Sequence, residues 1–193
     1  REDDRTVRRR ALWILALGLV VGFGLAQLPA LAAMRTGGTD VLRFEMVATT
    51  QQAELVVSGW GEAGRAAART QLLLDFGFLV GYGLLMWLAA TAVHAPRLAV
   101  LGPVAAVADA LENVALLAIV DGRTAQPWPA LATTFAIVKF AVLTGWMVGV
   151  AATVVRRRRT RRRAAPPSMP GSDTTGRPGC MHRRPERRGS LAE

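Results

Sequence analysis

From Ala11 to Met34 the chain carries no charged side chain. A helix that crosses a bilayer needs about 20 mainly apolar residues, and this run is long enough. Three further apolar runs follow, near residues 71–93, 98–120 and 130–155. The sequence therefore predicts an all-α integral membrane protein, a four-helix bundle with spans at about 11–33, 71–93, 98–120 and 130–155. Composition agrees: 51% hydrophobic residues and a positive mean hydropathy exclude a disordered or collagen-like chain. The first run also has the order of a secretory signal, with Arg8-Arg9-Arg10 before its apolar core and Ala30-Leu31-Ala32 behind it. It is about twice the length of a usual signal core, so a retained helix is expected. Within it Gly18 and Gly22 are spaced for close approach of another helix.

The net charge of +10 is a property of the tail. Residues 156–193 hold 12 Arg against Asp173, Glu186 and Glu193, while residues 1–155 are nearly balanced. Cytoplasmic flanks of membrane helices collect Lys and Arg. Placing both termini inside puts Arg1, Arg5, Arg8, Arg9, Arg10, Arg97 and the seven Arg of 156–163 in the cytoplasm. Only Arg35, Arg43, Arg65, Arg69 and Arg123 then lie outside. The expected topology is N-in/C-in, in the cell's inner (plasma) membrane. Residues 1–10 form a basic cytoplasmic N-terminus, and 156–193 a basic, disordered cytoplasmic tail, rich in Pro, Gly, Ser and Arg.

Residues 35–70 form the one sizeable polar segment between spans and are expected to be a short helical extracytoplasmic segment. Gly37-Gly38 ends the first helix, and Asp40 is placed to cap a short helix carrying Phe44 and Val47. Thr49 and Gln52 have capping-box spacing, and the helix they start should stop at Gly59-Trp60-Gly61. Glu62 to Thr70 is expected to run directly into the next span. The segment is read as a packed cap over the bundle with no part in binding, or as a layer on the membrane surface. Trp60 and Trp128 are assigned as interfacial residues, since Trp collects at membrane interfaces.

Five polar residues interrupt the later spans: Asp75 in the second, Asp109, Glu112 and Asn113 in the third, and Lys139 in the fourth. A charge facing lipid at mid-span costs at least ~2.5–3.5 kcal/mol, so these side chains should face the bundle interior. Asp109, Glu112, Asn113 and Leu116 follow the i, i+3, i+4, i+7 pattern of one helix face. Gly102, Ala105 and Ala106 continue that side with small residues that permit close packing. At a rise of 1.5 Å per residue, Glu112 and Lys139 both lie ~12–13 Å below the outer interface, with Asp75 at ~6 Å and Asp109 at ~17 Å. Three spans bring their charges to one outer-half polar site. Lys139 is the chain's only Lys among 24 basic residues. Unlike Arg, it supplies a compact point charge.

These residues, with Phe44-Glu45, Trp60-Gly61, Leu74-Asp75-Phe76 and Tyr82-Gly83, carry a resemblance over about residues 10–155. The chain resembles an uncharacterised group of bacterial four-helix integral membrane proteins with an intramembrane Asp-x-x-Glu-Asn element and a Lys in the last helix. The resemblance implies the architecture and the polar cluster and adds no mechanism.

Function is less constrained. His94, His182 and Cys180 have no metal-ligand spacing, and neither metal nor cofactor is expected. No recognisable catalytic motif is present. The leading expectation is a small interaction or structural membrane protein in which the cluster sets helix register. A proton- or ion-coupled transport component is the first alternative, since intramembrane ionisable groups often form such pathways. An intramembrane enzyme on a lipid or isoprenoid is the second, since paired carboxylates in a dry pocket can act as acid and base. The expected partners are the lipid bilayer, an anionic lipid or a protein for Arg156 to Arg163, and a second copy of the chain. Nucleic acid is not expected, because the tail has no interleaved aromatics.

Overall fold

The computed structural model describes residues 2–36 and 41–164. Among these residues six helices follow in order: α1 (Glu2–Thr36), α2 (Val41–Glu45), α3 (Thr50–Ala92), α4 (Pro96–Ala99), α5 (Leu101–Val120) and α6 (Trp128–Ala164). No strand occurs among the described residues. Four stretches are long and apolar enough to cross a membrane: Thr6–Arg35, Thr50–Ala92, Pro96–Val120 and Trp128–Thr160. The four runs read from the sequence are therefore all helical, and the chain is a multi-pass membrane protein by length and composition.

Local signals account for most boundaries. Thr49 caps α3: its hydroxyl accepts from Gln52 N–H, and the Gln52 side chain accepts from the Thr49 N–H, forming the expected box. The α3 backbone breaks at Gly61, where φ is +62°. That left-handed conformation suits glycine, which has no Cβ to clash. The break divides the cap portion of α3 from its spanning portion, at the foot of the predicted Gly59-Trp60-Gly61 stop. The proposed Asp40 cap and the Gly37-Gly38 break lie outside the described residues.

Three expectations need correction. Residues 156–164 are helical, not disordered, because α6 runs on through the arginines to Ala164. Arg is a good helix former, cations suit a helix C-terminus, and the next strong breaker is Pro166-Pro167. Residues 165–193 lie outside the described residues. Gly18 and Gly22 are exposed and meet no neighbouring helix. The close α1–α3 contact instead uses α3 glycines, with Gly77 under the Phe23 ring and Gly81 against Leu19 and Val20. Trp60 is not an interfacial anchor; it is buried, with its ring edge-on to Phe44 at 4.8 Å. Trp128 is half-buried at the start of α6, with the Arg123 guanidinium 5.8 Å from its ring centre.

A hydrophobic core lies in the cap end of the molecule. Phe44 and Val47 near α2, Val56, Val57 and Trp60 of α3, and Leu116, Ile119 and Val120 of α5 pack together there with Met34 of α1. The segment between spans is thus a packed cap. Below it the long helices pack in sequence, α1 on α3, α3 on α5 and α5 on α6. The α3–α5 seam brings backbone against backbone: a Cβ on Gly102 would lie 2.5 Å from the Gly83 carbonyl oxygen. The ends of the row, α1 and α6, make almost no contact with each other, so the bundle has an open side.

Candidate functional site

Helix α5 presents Asp109, Glu112 and Asn113 on one buried face, as their spacing requires. Helix α6 brings Lys139 opposite that face. The Lys139 Nζ lies 2.7 Å from Glu112 Oε2, 3.1 Å from Asp109 Oδ1 and 3.7 Å from Glu45 Oε2. The Lys139 and Glu112 side chains are 8% and 0% exposed. One ammonium, which has three N–H donors, therefore faces three carboxylates from α2 and α5. The Tyr82 hydroxyl donates to the other Asp109 oxygen at 2.8 Å. Glu112 Oε1 has no hydrogen-bond partner among the described residues.

A second network adjoins the first. Asn113 Nδ2 donates to Asp75 Oδ2 at 2.8 Å, and Gln27 Nε2 donates to Asp75 Oδ1 at 3.3 Å. Gln71 Nε2 in turn donates to Gln27 Oε1 at 3.3 Å. Asp75 is held by neutral amides, and among the described residues it forms no ion pair. All five polar residues read from the spans thus meet in one region. The depth match drawn for Glu112 and Lys139 corresponds to their 2.7 Å contact.

Four further members were not assigned to the cluster from the sequence, although Glu45 and Tyr82 are among the residues that carry the resemblance. Gln27 had a signal: it is the one strongly polar residue of the uncharged first run. Tyr82, the only tyrosine, lies seven residues after Asp75 and so on its helix face. Gln71 sits one turn before Asp75. Glu45 had no periodic signal, because it lies outside the spans. It enters the site because α2 folds down against α6, so the cap does contribute to the site. Burial holds the Glu45 carboxyl above the ordinary glutamate range, against the pull of Lys139.

The cluster forms one end of a cleft of about 630 Å³ on the open side of the bundle. Glu45, Asp75, Tyr82, Asp109 and Lys139 line its polar end. Its walls come from Trp13 of α1, the Phe78-to-Ala89 portion of α3, and the Phe140-to-Met147 portion of α6. From Asp75 to Ala89 the lining runs 14 residues along α3, or ~21 Å at the helical rise.

No protein-family model, curated protein or solved structure matches this chain. The resemblance drawn in the sequence analysis accordingly rests on the motifs quoted there alone.

The arrangement has definite chemical capacities. Among the described residues, no group of three or more His, Cys, Asp and Glu is arranged to hold a metal ion. The cluster sets four carboxylates against one ammonium, which favours a cation or a hydrogen-bond donor over an anion. The cleft beyond it is apolar, and such concave sites with a few convergent polar groups are the usual form of small-molecule sites.

Proposed function

We propose that this is an N-in/C-in plasma-membrane protein whose charged centre binds an amphiphile that enters sideways from the bilayer. The observation that carries the reading is the open seam between α1 and α6, through which a 630 Å³ cleft leads to Asp75, Asp109 and Lys139. The cleft is polar at the cap end and apolar further in. A lipid of the leaflet on the cap side has the same polarity, head outward and chain inward. The excess of Arg at the opposite end supports placing the cap outside. The basic end of α6 then lies at the inner leaflet, where each arginine near anionic lipid contributes about 1 kcal/mol.

The test is native mass spectrometry of the full chain released from mild detergent, comparing the wild type with Ala89→Trp. Ala89 lines the cleft far from the ions, so a bulky ring there should fill the cleft and leave the ion network intact. A co-purifying amphiphile near one per chain, lost in Ala89→Trp, is expected. Equal lipid retention by both proteins would overturn the reading.

One observation favours a second reading, a purely structural network. Lys139 joins α2, α5 and α6, which is what a device for setting helix register requires. On that reading Lys139→Met abolishes any deletion phenotype's rescue, while Ala89→Trp rescues fully.

A further inference from the structure

Five of the chain's 12 aromatic side chains line the cleft: Trp13, Phe78, Tyr82, Phe140 and Trp146. They come from three helices, so no single amphipathic face accounts for the concentration. Aromatic faces carry negative potential and attract ammonium groups, with Trp the strongest. The site already holds a cation near one of these rings: the Lys139 Nζ sits 5.0 Å from the Phe140 ring centre.

The carboxylates of the cleft are not all used by Lys139. Lys139 is already surrounded by Glu45, Asp109 and Glu112. Asp75 lines the same cleft and, among the described residues, is paired only with the neutral amides of Gln27 and Asn113. Phe78 and Tyr82 follow it by three and seven residues on the same helix face, and their rings meet edge-to-face at 5.8 Å. An anionic head would instead meet four carboxylates, with the one buried ammonium already taken. A phosphate-bearing head has the same difficulty.

We propose that the cleft takes a long-chain amine: an amphiphile with a single ammonium head, primary to quaternary, set against Asp75 among the Phe78, Tyr82 and Phe140 rings. Its chain lies along α3 toward Ala89 and Trp146. The inference rests on the reading of the cleft as an amphiphile site and names the class of ligand.

The experiment uses three photoreactive probes with the same diazirine-bearing C16 chain: a primary amine, an alcohol and a carboxylic acid. Each is crosslinked to the full chain in nanodiscs, and the labelled residues are mapped by mass spectrometry. The amine is expected to label the Phe78-to-Ala89 and Phe140-to-Met147 walls, and hexadecyltrimethylammonium should compete it away. Asp75→Asn should cut amine labelling at least about tenfold and leave alcohol labelling unchanged. Phe140 is 42% exposed, so Phe140→Leu is a mild change. It should lower the amine-over-alcohol preference roughly two- to fivefold, and it decides the matter should Asp75→Asn not fold. Equal labelling of the cleft by amine and alcohol, unaffected by either substitution, overturns the ammonium head and leaves the cleft reading standing. Labelling of the cleft no greater than that of outward-facing Ile14 and Leu17 overturns both.

Discussion

Two ion pairs in this protein have the same length and opposite surroundings. Lys139 Nζ and Glu112 Oε2 are 2.7 Å apart, and so are Arg69 Nη1 and Asp121 Oδ1. The first pair is almost fully buried in the spans, at 8% and 0% exposure. The second joins α3 to the loop before α6 at the cap surface, at 58% and 43% exposure. Distance alone therefore ranks them equal, and desolvation separates them. An exposed pair gains little beyond what water already gave each charge. A buried pair is costly to assemble, and breaking it by removing one partner is costlier, because the remaining charge has no water to return to.

The sharpest way to test that contrast is Lys139→Met. It strips the cation from Glu45, Asp109 and Glu112 together, and should cost ~3–5 kcal/mol of stability, read as a large fall in melting temperature in detergent. Adding Glu112→Gln should recover only part of the loss, since Asp109 and Glu45 still lack their partner. Full recovery would mean that Lys139 serves Glu112 alone and that the shared site does not exist.

The next effect compares the closed seam with an exposed helix face. Gly102→Leu drives a side chain into the Gly83 backbone, and overpacking of this kind costs about 1–3 kcal/mol. Gly18→Leu, on the outward face of α1, should stay within about 0.5 kcal/mol. Similar melting points for the two variants would show that α3 and α5 are not packed backbone to backbone.

A smaller effect is expected at the cap. Thr49→Ala removes the acceptor for Gln52 N–H and should cost ~0.5–2 kcal/mol, with Thr49→Ser restoring the wild-type melting point. The smallest belongs to the exposed pair. Arg69→Ala should cost no more than ~1 kcal/mol, and less still at high salt, where screening shortens the reach of surface charges. A loss matching that of Lys139→Met would remove the contrast between the two regions.

Much of the site was readable because a membrane penalises misplaced polarity. Asp109, Glu112 and Asn113 had to share a face and that face had to look inward, since lipid offers them no partner. Lys139 stood out for the same reason, and its depth pointed to Glu112. The Thr49–Gln52 box was readable because capping is local. Other features had no local signal. Glu45 reaches Lys139 only through the fold of the cap, across most of the chain. Trp60 has the composition of an interfacial anchor, yet its ring completes the cap core with Phe44. Gly18 and Gly22 have the spacing of a packing motif, but the glycines of the opposing helix serve that contact.

By itself the sequence determined four helices long and apolar enough to cross a membrane and the inward polar face of α5. Each follows from a requirement met within one helix: enough apolar length to cross the bilayer and burial of any charge within it. Only the tertiary structure decided which carboxylates share Lys139, that Asp75 is left to neutral amides, and that α1 and α6 stand apart. Helical periodicity specifies which side of a helix must be covered, not which neighbour covers it. The order of packing around the bundle, and hence the open cleft, emerges only when all the helices are in place.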